Sequence, residues 1–496
     1  MFCVTFFSIS TRALGFILKI YLSRNLGALL LGTYQVAMSV FGVLMTLVSS
    51  GIPVVLSRNV SYYSGKNNKK AIGSIVSSGL ILTFIICLIV SVVILFFPNA
   101  LNIVFTSTES TQMLQILLPA LVFSSIYEVL RGALWGEQKF FIISFTEFIE
   151  QVIRIIAIII LFETTFLDMS LTNKTALSLS IGCIVSAIIV CIIYFKYGGK
   201  INNPKYEFKN LLKTSTPITA VRTISSIVSS IIAIIIPIRL MTYGYSSAEA
   251  LSEFGIIMGM TFPLIMIPST LISSLAVTMI PSISEQSNDI DKNNLADKTI
   301  LKSKINFSLR TTIVFSSLLL STFISLGIPI CNFLFDNTKA GIYLCYSAIL
   351  MLPMGISQIT SSILNAIGLE LKSLKNYAIS SSLLIICIYF LPKYFGTFSL
   401  IIGQFLMSTT SSVLNIKMLS RRNLIEYKFI KTISQMLIIS LFSTILTSSI
   451  YHLFSSWPLL GLIIGGITAA TSTFALIYIF NIANFKMIIF KHKRLH

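Results

Sequence analysis

The chain has 496 residues, 55% of them hydrophobic and only 11% charged, with a mean hydropathy of +0.89. A soluble domain of this length would aggregate with so much apolar surface, so the composition reads as an integral membrane protein. The formal charge of +19 then reports topology and anionic lipid before nucleic acid, which is not an expected partner.

The seven cysteines lie in or beside apolar runs with no C-x-x-C spacing, and the three histidines form no ligand cluster. Neither a metal site nor a disulfide framework is indicated. No G-x-x-x-x-G-K-[ST] phosphate loop is present, so active transport would have to draw on an ion gradient, the membrane potential or the gradient of the substrate itself. No cofactor and no catalytic residue is expected, and the chain reads as a transporter, not an enzyme.

The apolar runs count to fourteen. Met1 to Leu22, interrupted by Arg12 and Lys19, lacks a small-residue cleavage site and reads as a retained helix. Further spans fall near 29–57, 71–97, 111–131, 140–162, 175–195, 214–240 and 250–280, then near 306–334, 341–366, 376–392, 396–417, 430–451 and 457–481. Most are long enough for about 30 Å of hydrocarbon. With both termini in the cytoplasm, the outer loops hold only Arg24, Lys174, Arg239, Lys339 and Lys393, while most other cations fall on inner segments. That asymmetry supports the count. The expected fold class is an all-α polytopic membrane protein with about 14 transmembrane helices. The expected domains are a six-helix lobe over 1–212, a second over 213–429, an additional helix pair over 430–481 and a basic cytoplasmic tail over 482–496. The inner loops Lys196 to Lys213 and Pro281 to Ile305 fit this division. A weak internal repeat accompanies it: ALWGEQKFFIISF from Ala133 is echoed by NAIGLELKSLKNYAI from Asn365, with Gly136 opposite Gly368. Tyr34, Phe41 and Pro53 are echoed by Phe254, Phe262 and Pro281.

Chemistry concentrates in FTEFIEQVIRI, from Phe145. Glu147, Glu150, Gln151 and Arg154 stand at i, i+3, i+4 and i+7, so a helix stacks them in one stripe. An ionised group at bilayer depth costs at least about 2.5 kcal/mol unless it meets protein, water or a partner, so the stripe should face inward. Glu150 and Arg154, at the i,i+4 spacing, either neutralise each other as structural glue or line a charged cavity. Glu147 has no such partner on its own helix.

GIPVVLSRNVSYY from Gly51, LRGALWGEQKF with FIEQVIRI, STPITAVRTISSI from Ser215, IPIRL from Ile236 and PSTLISSLAVTMIPSISE from Pro268 together resemble the stage V sporulation protein B-like polysaccharide and lipid II flippase family. That family belongs to the multidrug/oligosaccharidyl-lipid/polysaccharide flippase superfamily. The resemblance implies two six-helix lobes forming a V plus an extra pair, alternating access, and residence in the bacterial cytoplasmic membrane. Its implied cargo is an undecaprenyl-pyrophosphate-linked cell-wall precursor, lipid II-like, as for spore cortex peptidoglycan. A lipid-linked oligosaccharide and membrane lipids are the expected partners, and a monomer the expected state. Two features depart from the family pattern. Gly15-Phe16 is followed by Ile17, Leu18 and Lys19 where lipid II flippases carry an Arg-Asp pair, and 214–240 contains no acidic residue. The first helix is also shorter at its start than the family pattern, which leaves the true initiator methionine open.

Such cargo has an anionic head that needs cations and a prenyl tail that needs an open seam. Arg12 and Arg222 lie about 18 Å and about 13 Å along their helices from the nearest ends, near mid-depth. Arginine suits a pyrophosphate because its fork donates bidentate, charge-assisted bonds. The expected substrate contacts are Arg12, Arg222, Arg154, Glu150, Glu147 and Lys19; for the cations, snorkelling or helix pairing is the alternative. Arg58 and Arg131 are expected at cytoplasmic mouths as inside-positive anchors, and Trp135 and Trp457 as interfacial ones. The Ser-rich faces of the seventh and eighth spans, candidates for the seam, read as close helix packing. Three functions remain open: a lipid-linked oligosaccharide flippase, whether for lipid II or another polysaccharide repeat unit; a cation-coupled multidrug exporter of the same fold; and a non-transporting scaffold.

Overall fold

A computed structural model describes residues 2–96, 105, 107–164, 168–204, 208–267, 295–425, 429–454 and 456–480. They are overwhelmingly helical, with no strand among them. Among the described residues, eleven helices, or twelve if one bent pair counts as a span, are long and apolar enough to cross a membrane. The expected count of about fourteen is therefore not reached by length and composition alone. Pro281, the 268–285 motif and the 482–496 tail lie outside the described residues.

The helices group into two packing units, Met1–Gly255 and Ile256–His496. In the first, α1 (Phe2–Ser49) carries both of the first two expected spans as one run. Gly27 (φ 69°, ψ 177°) breaks it; only glycine takes such a conformation without a Cβ penalty, so the chain kinks there without a loop. α2 (Ile52–Gly65) begins at Pro53, whose missing N–H suits a helix start. α3 (Lys69–Phe96) follows. α4 (Thr108–Ile116) and α5 (Leu118–Gly136) meet at 42°, where Pro119 prevents a straight continuation. α6 (Phe140–Glu163), α7 (Leu171–Lys196), α8 (Phe208–Thr242) and α9 (Ser247–Gly255) complete the unit. A buried cluster around Leu56, Ile75, Val129, Leu134 and Val190 joins α2, α3, α5 and α7.

Two glycines set the closest approach. A Cβ on Gly32 would lie 1.9 Å from the Leu251 carbonyl oxygen, and one on Gly255 would lie 2.1 Å from the Ala28 carbonyl oxygen. Backbone thus meets backbone between α1 and α9, the small-residue contact expected where lipid supplies no hydrophobic drive between helices. Gly32→Leu is expected to lower stability by at least about 1–3 kcal/mol through overpacking. Thermal unfolding in detergent would read this as a lowered Tm, and an unchanged Tm would mean that the two helices separate freely.

In the second unit a π-helical turn, Ile256–Thr261, precedes α10 (Leu295–Phe335), α11 (Thr338–Ser347) and α12 (Met351–Ala366). α10 begins before the expected loop 281–305 ends, so the last part of that loop is helix. α13 (Glu370–Phe390), the short α14 (Pro392–Phe395), α15 (Phe398–Arg421), α16 (Phe429–Leu453) and α17 (Pro458–Ile479) follow. Asn415, fully buried on α15, accepts from Asn376 Nδ2 (2.9 Å) and donates to Thr360 Oγ1 (3.1 Å) and Ser361 Oγ (2.9 Å). That network satisfies its polar atoms and pins three helices together.

The lobe division expected at 212/213 differs from these packing units, since α8 and α9 group with α1. The two echoed segments close their helices alike. Gln138 (φ 59°) donates to Trp135 O while Lys139 donates to Leu134 O, and Gly368 (φ 75°) and Leu369 make the same pair of bonds to Asn365 O and Leu364 O. The left-handed residue closing each helix is thus Gln138 opposite Gly368, two positions on from the Gly136 match. Asn67, Gly198 and Asn423 close α2, α7 and α15 in the same way.

Candidate functional site

A cavity of about 500 Å³ opens inside the first unit. Its floor is one stripe of α5: Glu128, Arg131, Gly132 and Trp135, at i, i+3, i+4 and i+7. The end of α1 contributes Thr46, Ser49 and Ser50, α2 contributes Pro53 and Ser57, and α8 contributes Arg222. Gly132 lets this happen, because a Cβ there would lie 2.8 Å from the Pro53 carbonyl oxygen. Gly51 does the same at the α1–α2 corner, where a Cβ would lie 2.2 Å from Thr219 Oγ1 of α8.

Arg131 is the hub of the cavity. Its Nη1 donates to Glu128 Oε1 at 3.0 Å and its Nη2 pairs with Glu147 Oε1 of α6 at 2.9 Å. All three side chains keep roughly 30% of their surface exposed, so the pairing is wet, not sealed. Arg131 Nε and Ser50 Oγ are buried with no hydrogen-bond partner among the described residues. The guanidinium also lies 5.5 Å from the centre of the Trp135 ring, within cation–π range. Arg222 approaches from α8, where its Nη1 donates to the Ser50 carbonyl oxygen at 3.0 Å. No carboxylate pairs with Arg222 among the described residues.

Two expectations change here. Glu147, without a partner on its own helix, finds one on α5. Arg131 is not a free mouth anchor; it is ion-paired at the cavity floor. Trp135 likewise borders the cavity, with its ring held edge-on by Phe140 at 5.6 Å.

The α6 stripe continues away from this point. Glu150 and Arg154 form no salt bridge among the described residues, although Arg154 is near enough to attract Glu150 electrostatically. Arg154 Nη2 instead donates to Tyr34 OH of α1 at 3.1 Å, leaving its Nε and Gln151 Oε1 without partners among the described residues. Gly182 of α7 packs against Glu150 and Arg154. Arg12 is near enough to attract Glu147 electrostatically, and Lys19 near enough to be repelled by Arg154. Both lie on the exposed side of α1 and do not line the cavity. Arg58 is exposed on α2 and does not line it either. Of the expected site residues, the structure brings Arg222, Arg131 and Glu147 to one place. It adds Glu128, whose signal was the same i, i+3, i+4, i+7 spacing that singled out the α6 stripe.

Chemically, this is a chamber with apolar walls (Met45, Pro53, Val54, Trp135) and a few polar groups, in which one cation is held by two carboxylates and a second, among the described residues, by a backbone carbonyl. Such a chamber can receive an anionic group, because Arg222 has donors to spare and Arg131 can exchange one carboxylate for another anion.

A family model described as polysaccharide biosynthesis protein matches residues 1–287. Stage V sporulation protein B of Bacillus subtilis (strain 168) is 26% identical over 288 residues, which cover 55% of this chain and 55% of that protein. The chain thus matches about half the length of that relative. Among solved structures it is similar to the lipid II flippase MurJ in an inward closed conformation, with a TM-score of 0.69 and 17% identity over 96% of this chain and 99% of that one. It is also similar to a multidrug resistance MATE family transporter of the MOP superfamily in an inward-facing conformation, with a TM-score of 0.68 and 15% identity over 85% and 94% of the two chains. At these identities the structures establish a common fold, that of a polytopic all-α membrane protein. The family match covers more than half of the sequence and takes in every helix that builds the cavity, and on that ground the chain belongs to the polysaccharide biosynthesis protein family.

Proposed function

We propose that the protein is a flippase that moves an undecaprenyl-pyrophosphate-linked cell-wall precursor, lipid II-like, across the bacterial cytoplasmic membrane by alternating exposure of this cavity. The observation that carries the reading is Arg222, a cavity-lining arginine that no carboxylate neutralises among the described residues, beside Arg131. A pyrophosphate head cannot enter hydrocarbon unaided, and a guanidinium fork offset from its own carboxylates is the group that can receive it. The family match, described as polysaccharide biosynthesis protein, fits a glycan-bearing cargo. Arg12 and Lys19 then serve as a cationic approach, and Arg154 with Glu150 as the continuation of the polar track. Arg58 stays an anchor at the cytoplasmic mouth.

Fourteen crossings fit this role. The 63-residue run Cys3–Gly65 is about three times the roughly 20 residues of one crossing and is broken at Gly27, which leaves room for two crossings, and α6 falls outside the apolar helices because Glu147, Glu150 and Arg154 interrupt it. Both termini are then cytoplasmic, and the driving force is an ion gradient or the membrane potential. The cation-coupled multidrug exporter is favoured by one observation, the carboxylates Glu128 and Glu147 at the cavity. Both are engaged by Arg131, and a cationic drug would have to enter beside two arginines.

Depleting the protein in its own cell is expected to raise the pool of lipid-linked glycan intermediate on the inner leaflet. An unchanged pool, with altered efflux of cationic dyes instead, would replace the flippase by the exporter.

A further inference from the structure

Trp135 does not have the setting of a membrane anchor. An interfacial tryptophan presents its ring to lipid headgroups, whereas this ring borders the cavity on the same α5 stripe as Glu128 and Arg131. It is 48% exposed. Phe140 meets it edge-on at 86° between planes, which fixes its tilt, and Arg131 lies 5.5 Å from its centre. The ring is therefore a partly open apolar plate with the Arg131 guanidinium over one of its faces. Around it stand groups suited to hydroxyls: the Glu128 carboxylate and the Ser49, Ser50 and Ser57 side chains, with Ser50 Oγ unpartnered among the described residues.

A pyrophosphate does not use such a plate, since it has no apolar face. Nor does it fill the space. A pyrophosphate is small against a cavity of about 500 Å³. A sugar ring matches what remains, because its C–H face packs on an aromatic plate while its hydroxyls point sideways to carboxylate and hydroxyl acceptors. Few convergent polar groups around an aromatic wall are the usual make-up of a selective small-molecule pocket.

We infer that Trp135 is the sugar-stacking residue of the cavity and sets the preference for glycan-bearing over bare polyprenyl pyrophosphate. This rests on the flippase reading and names the part of the cargo that the reading leaves open. Arg222 and Arg131 hold the charged group, and Trp135 measures whether a sugar follows it.

The test is binding of two probes to the purified full-length protein in nanodiscs: undecaprenyl pyrophosphate, and the same lipid carrying one N-acetylglucosamine. The wild-type protein should bind the glycosylated probe more tightly. Trp135→Ala should weaken that probe about tenfold more than it weakens the bare probe, the scale of one stacking contact. Trp135→Tyr, which keeps an aromatic plate, should recover most of the preference. Equal weakening of both probes, or no change in either, overturns the inference and returns Trp135 to packing or anchoring. A wild-type protein that binds both probes equally overturns it while leaving the flippase reading in place. A wild-type protein that binds neither overturns both.

Discussion

Arg222→Ala is expected to reduce transport of a lipid-linked pyrophosphate by about ten- to a hundredfold, with membrane insertion and folded yield unchanged. The range follows from the worth of a hydrogen bond to a charged group, about 1.5–3 kcal/mol, at 1.4 kcal/mol per tenfold. Insertion should not suffer, because removing an ionised group from a span makes it easier to insert. Stability should hold as well, since Arg222 gives up one bond to the Ser50 carbonyl oxygen and strands no carboxylate. Arg222→Lys separates charge from geometry: it keeps the cation, loses the bidentate fork, and should recover activity only in part. Transport and yield measured together decide the matter, and a well-expressed Arg222→Ala protein that transports normally would remove Arg222 from the site.

Arg131→Ala is expected to do more damage, and of a different kind. It leaves Glu128 and Glu147 facing each other without the cation they share. Removing one partner of an ion pair strands the other, at up to about 3–5 kcal/mol when fully buried. These side chains are roughly 30% exposed, so the loss should be nearer about 1–3 kcal/mol. Thermal unfolding in detergent should show it as a lower Tm together with loss of transport. Adding Glu147→Gln removes one stranded charge and should return much of the stability without returning transport. Rescue of both properties together would mean that Arg131 only holds α5 against α6.

Much of this arrangement was visible in the residues before any helix was placed. The α6 stripe stands out because four polar positions at helical spacing interrupt an apolar run, and the structure does turn Glu147 toward a partner. The α5 stripe has the same spacing, yet Arg131 lies where a cytoplasmic loop was expected, and the inside-positive pattern accounts for such a cation without any site. Other features are tertiary by nature. Arg154 meets Tyr34 across 120 residues, and no periodicity within one helix reports that. The Gly27 break is hidden for a different cause, because a glycine in an apolar run looks the same whether it sits in a straight helix or carries a positive φ. Gln138 takes a positive φ, as Gly368 does at the end of its helix. Residue identity alone does not show that equivalence.

The central claim is that the Arg131–Arg222 cavity carries a lipid-linked anionic head across the bilayer. Its most direct test reconstitutes the full-length protein in unilamellar vesicles with undecaprenyl pyrophosphate bearing one N-acetylglucosamine on both leaflets, and follows how fast the inner pool becomes available to an impermeant sugar-binding reagent outside. Wild-type vesicles should expose the inner pool well above the protein-free rate, and Arg222→Ala vesicles with the same protein content should stay close to it. A wild-type rate equal to that of protein-free vesicles, or an Arg222→Ala rate equal to wild type, would contradict it.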